Sequence, residues 1–250
     1  METRLKLDIL AQPDDVTCGP TCLHALYSYY DDEVPLHDLI AQTPQLKGGG
    51  TFAVFLACHA MKRGYTASIY SYNLRVFDPT WFDLRPEIII DRLQAQYEYK
   101  GGRRLGLITR GYTEFLSRGG TLCFQDLTAG LIRRYLRRGL PILTGLSATH
   151  LYRTSREYGP NDEYDDVRGK PSGHFVVLCG YDPDTRNVLV ADPMHPNPVS
   201  SSQYYEIGID RVIGAILLGI LTHDANLLII EPPRRWKHDY ARPQEPGHRQ

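Results

Sequence analysis

The residues with the clearest chemical potential begin in the segment Gln12-Pro13-Asp14-Asp15-Val16-Thr17-Cys18-Gly19-Pro20-Thr21-Cys22-Leu23, where Cys18 stands at a Gly-Pro step that opens a predicted helix. A sulfur at a helix N-terminus meets unpaired backbone N–H groups and the positive end of the helix dipole, which favour its thiolate form. Gln12, six residues upstream, can aim a side-chain amide at an oxyanion formed beside that sulfur. Far along the chain, Gly173-His174-Phe175-Val176-Val177-Leu178 places a histidine at the start of an apolar strand, a rigid mount from which an imidazole reaches across a cleft. A second apolar run, Val188 to Asp192, follows the turn-rich Asp182-Pro183-Asp184-Thr185-Arg186-Asn187. Strands joined this way pair antiparallel and bring their side chains within a few ångströms, so Asp192 can accept the imidazole N–H and fix its tautomer. Thiol, imidazole, carboxylate and oxyanion donor are together the parts of a nucleophilic acyl-transfer site.

Each residue also has a plainer role open to it. Cys18 competes with the ordinary fate of a buried free thiol, although its neighbours Asp14, Asp15, Thr17 and Gly19 describe a loop. A metal cluster of Cys18, Cys22 and His24 lacks a fourth ligand and a zinc-type spacing. His150, His195 and His223 are rivals to His174 among the nine histidines. Asp192 precedes Pro193 and also suits a turn, and Gln12 suits an ordinary surface position.

Three blocks, Q-x5-C-G-P-x-C-L, G-H-F-V-V-L-x-G-Y-D and V-L-V-A-D-P, follow one another between residues 12 and 193. In this order they resemble the C39 family of cysteine peptidases, papain-like domains best known as leader-peptide processors fused to bacterial export transporters. The resemblance implies that Gln12, Cys18, His174 and Asp192 act as oxyanion glutamine, nucleophile, base and orienting acid. It implies a papain-like fold and, from the transporter-fused members, cleavage after small residues such as paired glycines. A stand-alone domain without a transporter is expected here, and the stretch between Cys18 and His174 contains segments without a counterpart.

The composition bounds the partners. The chain has 250 residues, 42% of them hydrophobic, with 28 Lys and Arg against 29 Asp and Glu. This near balance argues against a nucleic-acid partner, which needs a basic face. Arg133, Arg134, Arg137 and Arg138 interleave with Leu131, Ile132, Tyr135 and Leu136 at helical spacing, the pattern of a solvated face beside a buried stripe. Five cysteines, four of them (Cys22, Cys58, Cys123, Cys179) in apolar surroundings, indicate free thiols in a reducing compartment. The N-terminus alternates apolar and polar residues like a strand and lacks a signal-peptide core. The most apolar run, Val212 to Leu221, is too short to span a bilayer. A soluble, cytoplasmic protein without a membrane partner is expected, and its oligomeric state is left open.

The positioning elements follow from periodicity. Helices are expected over about 20–30 (with Leu23, Leu26, Tyr27 and Tyr30 as the buried stripe), 51–63, 86–99, 105–117 and 128–138. Pro20 and Pro86 lie in first turns, and Gly64, Gly101, Gly119 and Gly139 lie at ends. Strands are expected over about 1–10, 66–74, 140–146, 174–181, 188–192 and 212–220. Helices first and strands later give an α+β class, N-terminal helices packed on a C-terminal antiparallel sheet. A single domain over residues 1–235 is expected, with insertions at about 66–125 and 152–172 and a polar tail over 236–250. The segment Arg153 to Ser172 is read as a mobile acidic lid, with Asp162, Glu163, Asp165 and Asp166 on its rim. Tyr152, Tyr158 and Tyr164 are the aromatics set to contact substrate, Tyr158 and Tyr164 being the candidate substrate-binding residues.

The expected chemistry is attack of the Cys18 thiolate on an amide carbonyl, proton transfer from His174 to the leaving amine, and hydrolysis of the resulting thioester. It calls for no metal and no organic cofactor. An acyltransferase resolving the same acyl-enzyme with an amine is a competing outcome, and a catalytically idle papain-like binding module is another.

Overall fold

The computed structural model describes residues 2–233, so the 236–250 tail lies outside the described residues. Helix α1 (Cys18–Tyr29) begins two residues before the expected Pro20. Pro20 is therefore the third helical residue, a place where a missing N–H costs nothing because the first-turn N–H groups have no helical partner. Leu23, Leu26, Tyr27 and Tyr30 are all buried, as their spacing requires. Helices α2 (Leu36–Gln42) and α3 (Ala53–Lys62) follow, then β2 (Thr66–Ser71). A short 3-10 turn precedes α4 (Pro86–Lys100) and α5 (Arg103–Ser117), which are parted by Gly101 and Gly102 at positive φ. Strand β3 (Thr121–Cys123) leads to α6 (Ala129–Leu136), whose Thr128 hydroxyl accepts the Leu131 N–H at 3.2 Å. The apolar stripe of α6 is buried. On its flank Arg134 donates to the Tyr70 hydroxyl, Arg138 pairs with Glu231, and Arg133 lies over the Tyr181 ring.

The remaining chain builds the sheet and its second cover: β4 (Ile142–Ser147), α7 (Ala148–Tyr152), the hairpin β5 (Glu157–Tyr158) and β6 (Glu163–Tyr164), then β7 (Gly173–Asp182) and β8 (Asn187–Ala191). They are followed by β9 (Tyr204–Gly208), α8 (Ile209–Leu218), a 3-10 turn over Gly219–Thr222 and β10 (Asn226–Glu231). The strand order is β3-β2-β10-β4-β7-β8-β9, and the two-residue β1 (Thr3–Arg4) pairs with Tyr181 and Gly180 of β7. All pairings are antiparallel except β2 with β3. The class is α+β, with the N-terminal helices packed on a largely antiparallel sheet. The stretch 66–125 is woven into this sheet: β2 lies between β3 and β10, and Leu93, Phe115 and Ile69 are fully buried.

Three expectations are corrected. Residues 212–220 form most of α8 and its 3-10 extension, not a strand. The buried residues Ile209, Val212, Ala215 and Ile216 recur at helical spacing, a period hidden by apolar residues on the other face. The N-terminal segment is extended but pairs as a strand only over Thr3–Arg4. Leu7 and Ile9 still point inward, and the Tyr204 hydroxyl bridges the Leu7 carbonyl and the Ile9 N–H at 3.0 Å each. The sheet also takes its strands from more of the chain than expected, since β9 and the fully interior β10 lie outside the expected runs.

Helix α1 is held at both ends. At its N-terminal end it lies on β7, where the Cys22 thiol donates to the Phe175 carbonyl at 3.2 Å. A Cβ on Gly19 would stand 2.7 Å from Thr51 Cγ2 and 3.3 Å from both Leu56 Cδ1 and Phe175 Cδ2. Just past its C-terminal end, the buried Asp32 accepts from Arg63 Nε and the Tyr65 hydroxyl at 3.0 Å each. Gly19→Ala is expected to push α1 off β7, costing about 1–3 kcal/mol by overpacking. Thermal denaturation checks this, and an unchanged melting temperature would show that Thr51 yields freely.

Candidate active site

Cys18 is the first residue of α1, and Thr17 caps the helix without a side-chain hydrogen bond. The first intrahelical bond runs from the Thr21 N–H to the Thr17 carbonyl at 3.1 Å. The N–H groups of Cys18 and Gly19 therefore lie ahead of the helical ladder, beside the sulfur. Cys18 is only 7% exposed, so a reactant reaches it through a narrow opening.

His174 is the second residue of β7 and sits opposite Leu146 of β4. Its Nε2 lies 2.8 Å from Asp192 Oδ1, and the Cys18 side chain is close enough to raise the imidazole pKa. Asp192 follows β8 directly, its N–H donating to the Gln203 carbonyl at 2.8 Å. Its carboxylate is completely buried and saturated with donors. Oδ1 accepts from His174 Nε2 and, at 2.9 Å, from the Met194 N–H. Oδ2 accepts from the hydroxyls of Tyr152 at 2.8 Å and Tyr205 at 2.7 Å. Gln12 joins through its backbone, its N–H donating to the Pro193 carbonyl at 2.8 Å. Its side-chain Nε2 donates to the Asp14 carbonyl at 2.8 Å, while Oε1 is buried without a hydrogen bond.

The electrostatics favour charge separation. Burial pulls the His174 pKa down, but the Asp192 carboxylate, its hydrogen bond and the Cys18 sulfur outweigh burial and raise it to about 10. Burial alone pushes Asp192 up, yet the imidazolium and the hydrogen bonds from His174, Tyr205 and the Met194 N–H hold it below the ordinary carboxylate range. Four thiols are held in their neutral form by burial. Burial, reinforced by Cys18 and Asp192, raises Cys22 well above its usual value. Burial also pushes Cys58 and Cys179 up to about 12, and raises Cys123.

The rival histidines lie elsewhere. His150 is on α7 against Gly214 of α8, His195 is in the loop after Asp192, and His223 follows the 3-10 turn at φ 72°. Cys22 and His24 do not converge with Cys18 on a ligand set: the Cys22 thiol is engaged by Phe175, and His24 Nδ1 is buried without a partner.

The segment 153–172 differs from the expected mobile lid. It is a compact hairpin: Glu157 and Lys170 exchange backbone hydrogen bonds, and the Ser172 hydroxyl donates to Glu157 Oε1 at 3.0 Å. Asp165 accepts the N–H groups of Val167 and Arg168, so it serves the turn. Tyr152 is buried with its hydroxyl on Asp192, so it does not offer its ring to a substrate, because α7 tucks it beneath the His174 ring at a centroid distance of 6.0 Å. Tyr158 and Tyr164 are exposed on the hairpin, with the Arg168 guanidinium 4.3 Å over the Tyr158 ring. Burial raises the carboxyl of Glu157, which accepts from the Ser172 hydroxyl on the hairpin.

Four residues near the site carry no catalytic signal in the sequence motifs: Tyr152, Tyr205, Glu157 and Asp224. Tyr205 stands in the alternating run Tyr204-Tyr205-Glu206-Ile207, a strand signal that does not say which residue the strand faces. Asp224 is buried behind Gly173, with Cβ positions on Gly145 and Gly173 only 2.9 and 2.6 Å from its carboxylate oxygens. Burial raises its pKa to about 7. Nothing local in the sequence marks it, since its position depends on β10 entering between β2 and β4.

Comparison with known proteins adds a family. Residues 108–210 match the model of the Peptidase_C39 like family, a span that contains His174 and Asp192 and ends short of Cys18 and Gln12. The chain is similar to that family over this segment. No curated protein matches it. Among solved structures it is similar to a double glycine motif protease from an AMS/PCAT transporter in complex with the leader peptide, at 14% identity over 92% of this chain and 95% of that one, TM-score 0.44. It is also similar to the peptidase domain of Streptococcus ComA, a bi-functional ABC transporter involved in quorum sensing, at 14% identity over 91% and 99%, TM-score 0.42. A Bacillus anthracis protein described as a C39-like peptidase matches at 12% identity over 93% and 98%, TM-score 0.45. At such scores the roles of individual residues rest on this chain's own geometry. No helix among the described residues is long and apolar enough to cross a membrane.

The raised His174 pKa makes a stability prediction with a definite sign. The folded imidazole holds its proton to about pH 10, against an ordinary value of 6.5, so its contribution is fully present below 6.5 and fades as pH rises through 10. The melting-temperature gap between the wild-type protein and His174→Gln is expected to shrink steadily from about pH 7 to about pH 10. A gap constant with pH would mean that His174 is uncharged in the folded protein.

Proposed function

We propose that this chain, C39-like over residues 108–210, is a cysteine peptidase or amidase acting through Cys18, His174 and Asp192. The observation that carries the reading is the buried pair of His174 and a donor-saturated Asp192, with the Cys18 side chain close enough to raise the imidazole pKa. Asp192 holds the imidazole in one orientation and stabilises its charged form, and the imidazolium in turn stabilises the thiolate at the helix N-terminus.

In the first half-reaction the thiolate attacks the carbonyl carbon of an amide, and the C=O electron pair moves onto oxygen. The Cys18 N–H and the Gln12 amide are the donors assigned to that oxyanion. On collapse of the tetrahedral intermediate the C–N bond breaks, His174 gives its proton to the departing amine, and a Cys18 thioester remains. In the second half-reaction His174 takes a proton from water, the hydroxide attacks the thioester, and the thiolate is restored with release of the acid. A preference for small residues at the scissile bond is what the resemblance to the C39 family implies. An amine in place of water in the second half-reaction would make the same site an acyltransferase.

Two measurements test this. Limiting iodoacetamide at mildly acidic pH is expected to label Cys18 alone, since burial suppresses the thiolate of the other four; preferential labelling of Cys123 or Cys179 would sink the assignment. A peptide-library digest read by mass spectrometry is expected to show hydrolysed products, richest after glycine or alanine. Cys18→Ala is expected to abolish cleavage, and Gln12→Ala to slow it by about a hundred- to a thousandfold. Cleavage surviving in Cys18→Ala, or amine-capped products in place of acids, would replace the reading.

A further inference from the structure

Asp192 carries more hydrogen bonds than an orienting acid needs to hold one imidazole. Oδ1 is engaged by His174 and the Met194 N–H, so the imidazole contact is complete on that oxygen. Oδ2, which does not touch His174, receives two phenol hydroxyls at 2.8 and 2.7 Å from tyrosines that are themselves buried. These donors come from opposite sides: Tyr152 is the last residue of α7, and Tyr205 is the second residue of β9. Each phenol spends its proton on Asp192, and neither is part of the acyl-transfer chemistry derived above.

Resting on the peptidase reading, we infer that Tyr152 and Tyr205 are positioning residues: their paired hydroxyls keep Asp192 ionised and fixed in the His174 plane, so that the imidazolium stays charged beside the Cys18 thiolate. A carboxylate with no exposure, carrying a single imidazole partner, would relieve its burial by taking the imidazole proton. Hydrogen bonds from neutral donors to the charged form oppose this, because they stabilise the carboxylate and not the acid. The two phenols are suited to the task, since burial followed by the adjacent Asp192 charge raises both their own pKa values. They remain donors wherever the enzyme is folded. The charged and titratable groups around the carboxylate are His174 on β7, Cys18 and Cys22 on α1, and the two tyrosines, with Arg211 of α8 acting on Tyr205. Only His174 among them offers Asp192 a positive charge by direct contact.

The pair also couples the site to its surroundings. Tyr152 directly precedes Arg153, which turns at φ 57° into the 157–164 hairpin. Its hydroxyl therefore pins the root of the hairpin to the same carboxylate that aligns the imidazole.

The test uses Tyr152→Phe, Tyr205→Phe and the double variant, which keep the rings and remove only the donors. The first readout is the titration of the Asp192 carboxyl carbon by NMR in the intact protein, which needs no substrate. Each single variant is expected to raise its midpoint by about one pH unit, the equivalent of one hydrogen bond to a charged acceptor, and the double variant by more. The second readout is the pH profile of Cys18 alkylation by iodoacetamide, whose acid limb is expected to move to higher pH in the same order. In an Asp192→Asn background the tyrosine changes are expected to have no further effect on that limb. Unmoved midpoints, or equal limb shifts with and without Asp192, would overturn the inference and leave the tyrosines as packing alone. Alkylation of Cys18 that ignores His174→Gln would instead remove the peptidase reading, while the carboxyl titration would still decide whether the tyrosines govern Asp192.

Discussion

A fully buried carboxylate is the constraint around which this protein is organised. A charge with no exposure to water is tolerated only when its oxygens are filled with donors and a counter-charge is near. Asp192 meets that condition with four donors drawn from β7, α7, β9 and the loop that follows it. Each of those segments is held by its own packing, so the sheet order and the cover formed by α7 and α8 are conditions for the carboxylate to exist in charged form. The catalytic geometry proposed for His174 follows from that saturation.

The other half of the site is organised by close approach. Helix α1 can present Cys18 at its first turn only because Gly19 allows contact with Thr51, Leu56 and Phe175. The buried Asp32, with Arg63 and Tyr65, holds the far end of the same helix. The approach of Cys18 to His174 is the seam between the helical half and the sheet half. Burial also separates the thiols chemically: four cysteines lie where the thiolate is costly, and the fifth lies at a helix N-terminus beside an imidazolium.

Two features show how the surroundings serve this centre. The 153–172 hairpin is stitched to itself and anchored at both ends, by Tyr152 on Asp192 and by Ser172 on Glu157 and Thr149. Behind His174, Asp224 occupies space that exists because residues 145 and 173 are glycines. A buried carboxyl raised to about 7 from an ordinary 3.8 loses stability as pH rises between those values, so the fold carries an energetic cost here at neutral pH.

The sequence by itself determined the local features: the helix beginning near Cys18, the buried stripe from Leu23 to Tyr30, the hairpin that sets the His174 strand beside Asp192, and the helices punctuated by proline and glycine. These depend on spacing, capping and turn residues within a dozen positions of one another, where backbone preferences act directly. Residues 212–220 read as a strand because an apolar run buried at helical spacing carries enough other apolar residues to mask its period. Tertiary structure alone decided that β10 enters the middle of the sheet, that Tyr152 turns inward from the end of a five-residue helix, and that Asp224 lies behind the histidine. It also decided that Oδ2 of Asp192 is shared by two tyrosines 53 positions apart in the chain. Those outcomes come from desolvation and packing across distant segments: a buried charge gathers whatever donors the fold delivers, and no local signal in the sequence records which ones they are.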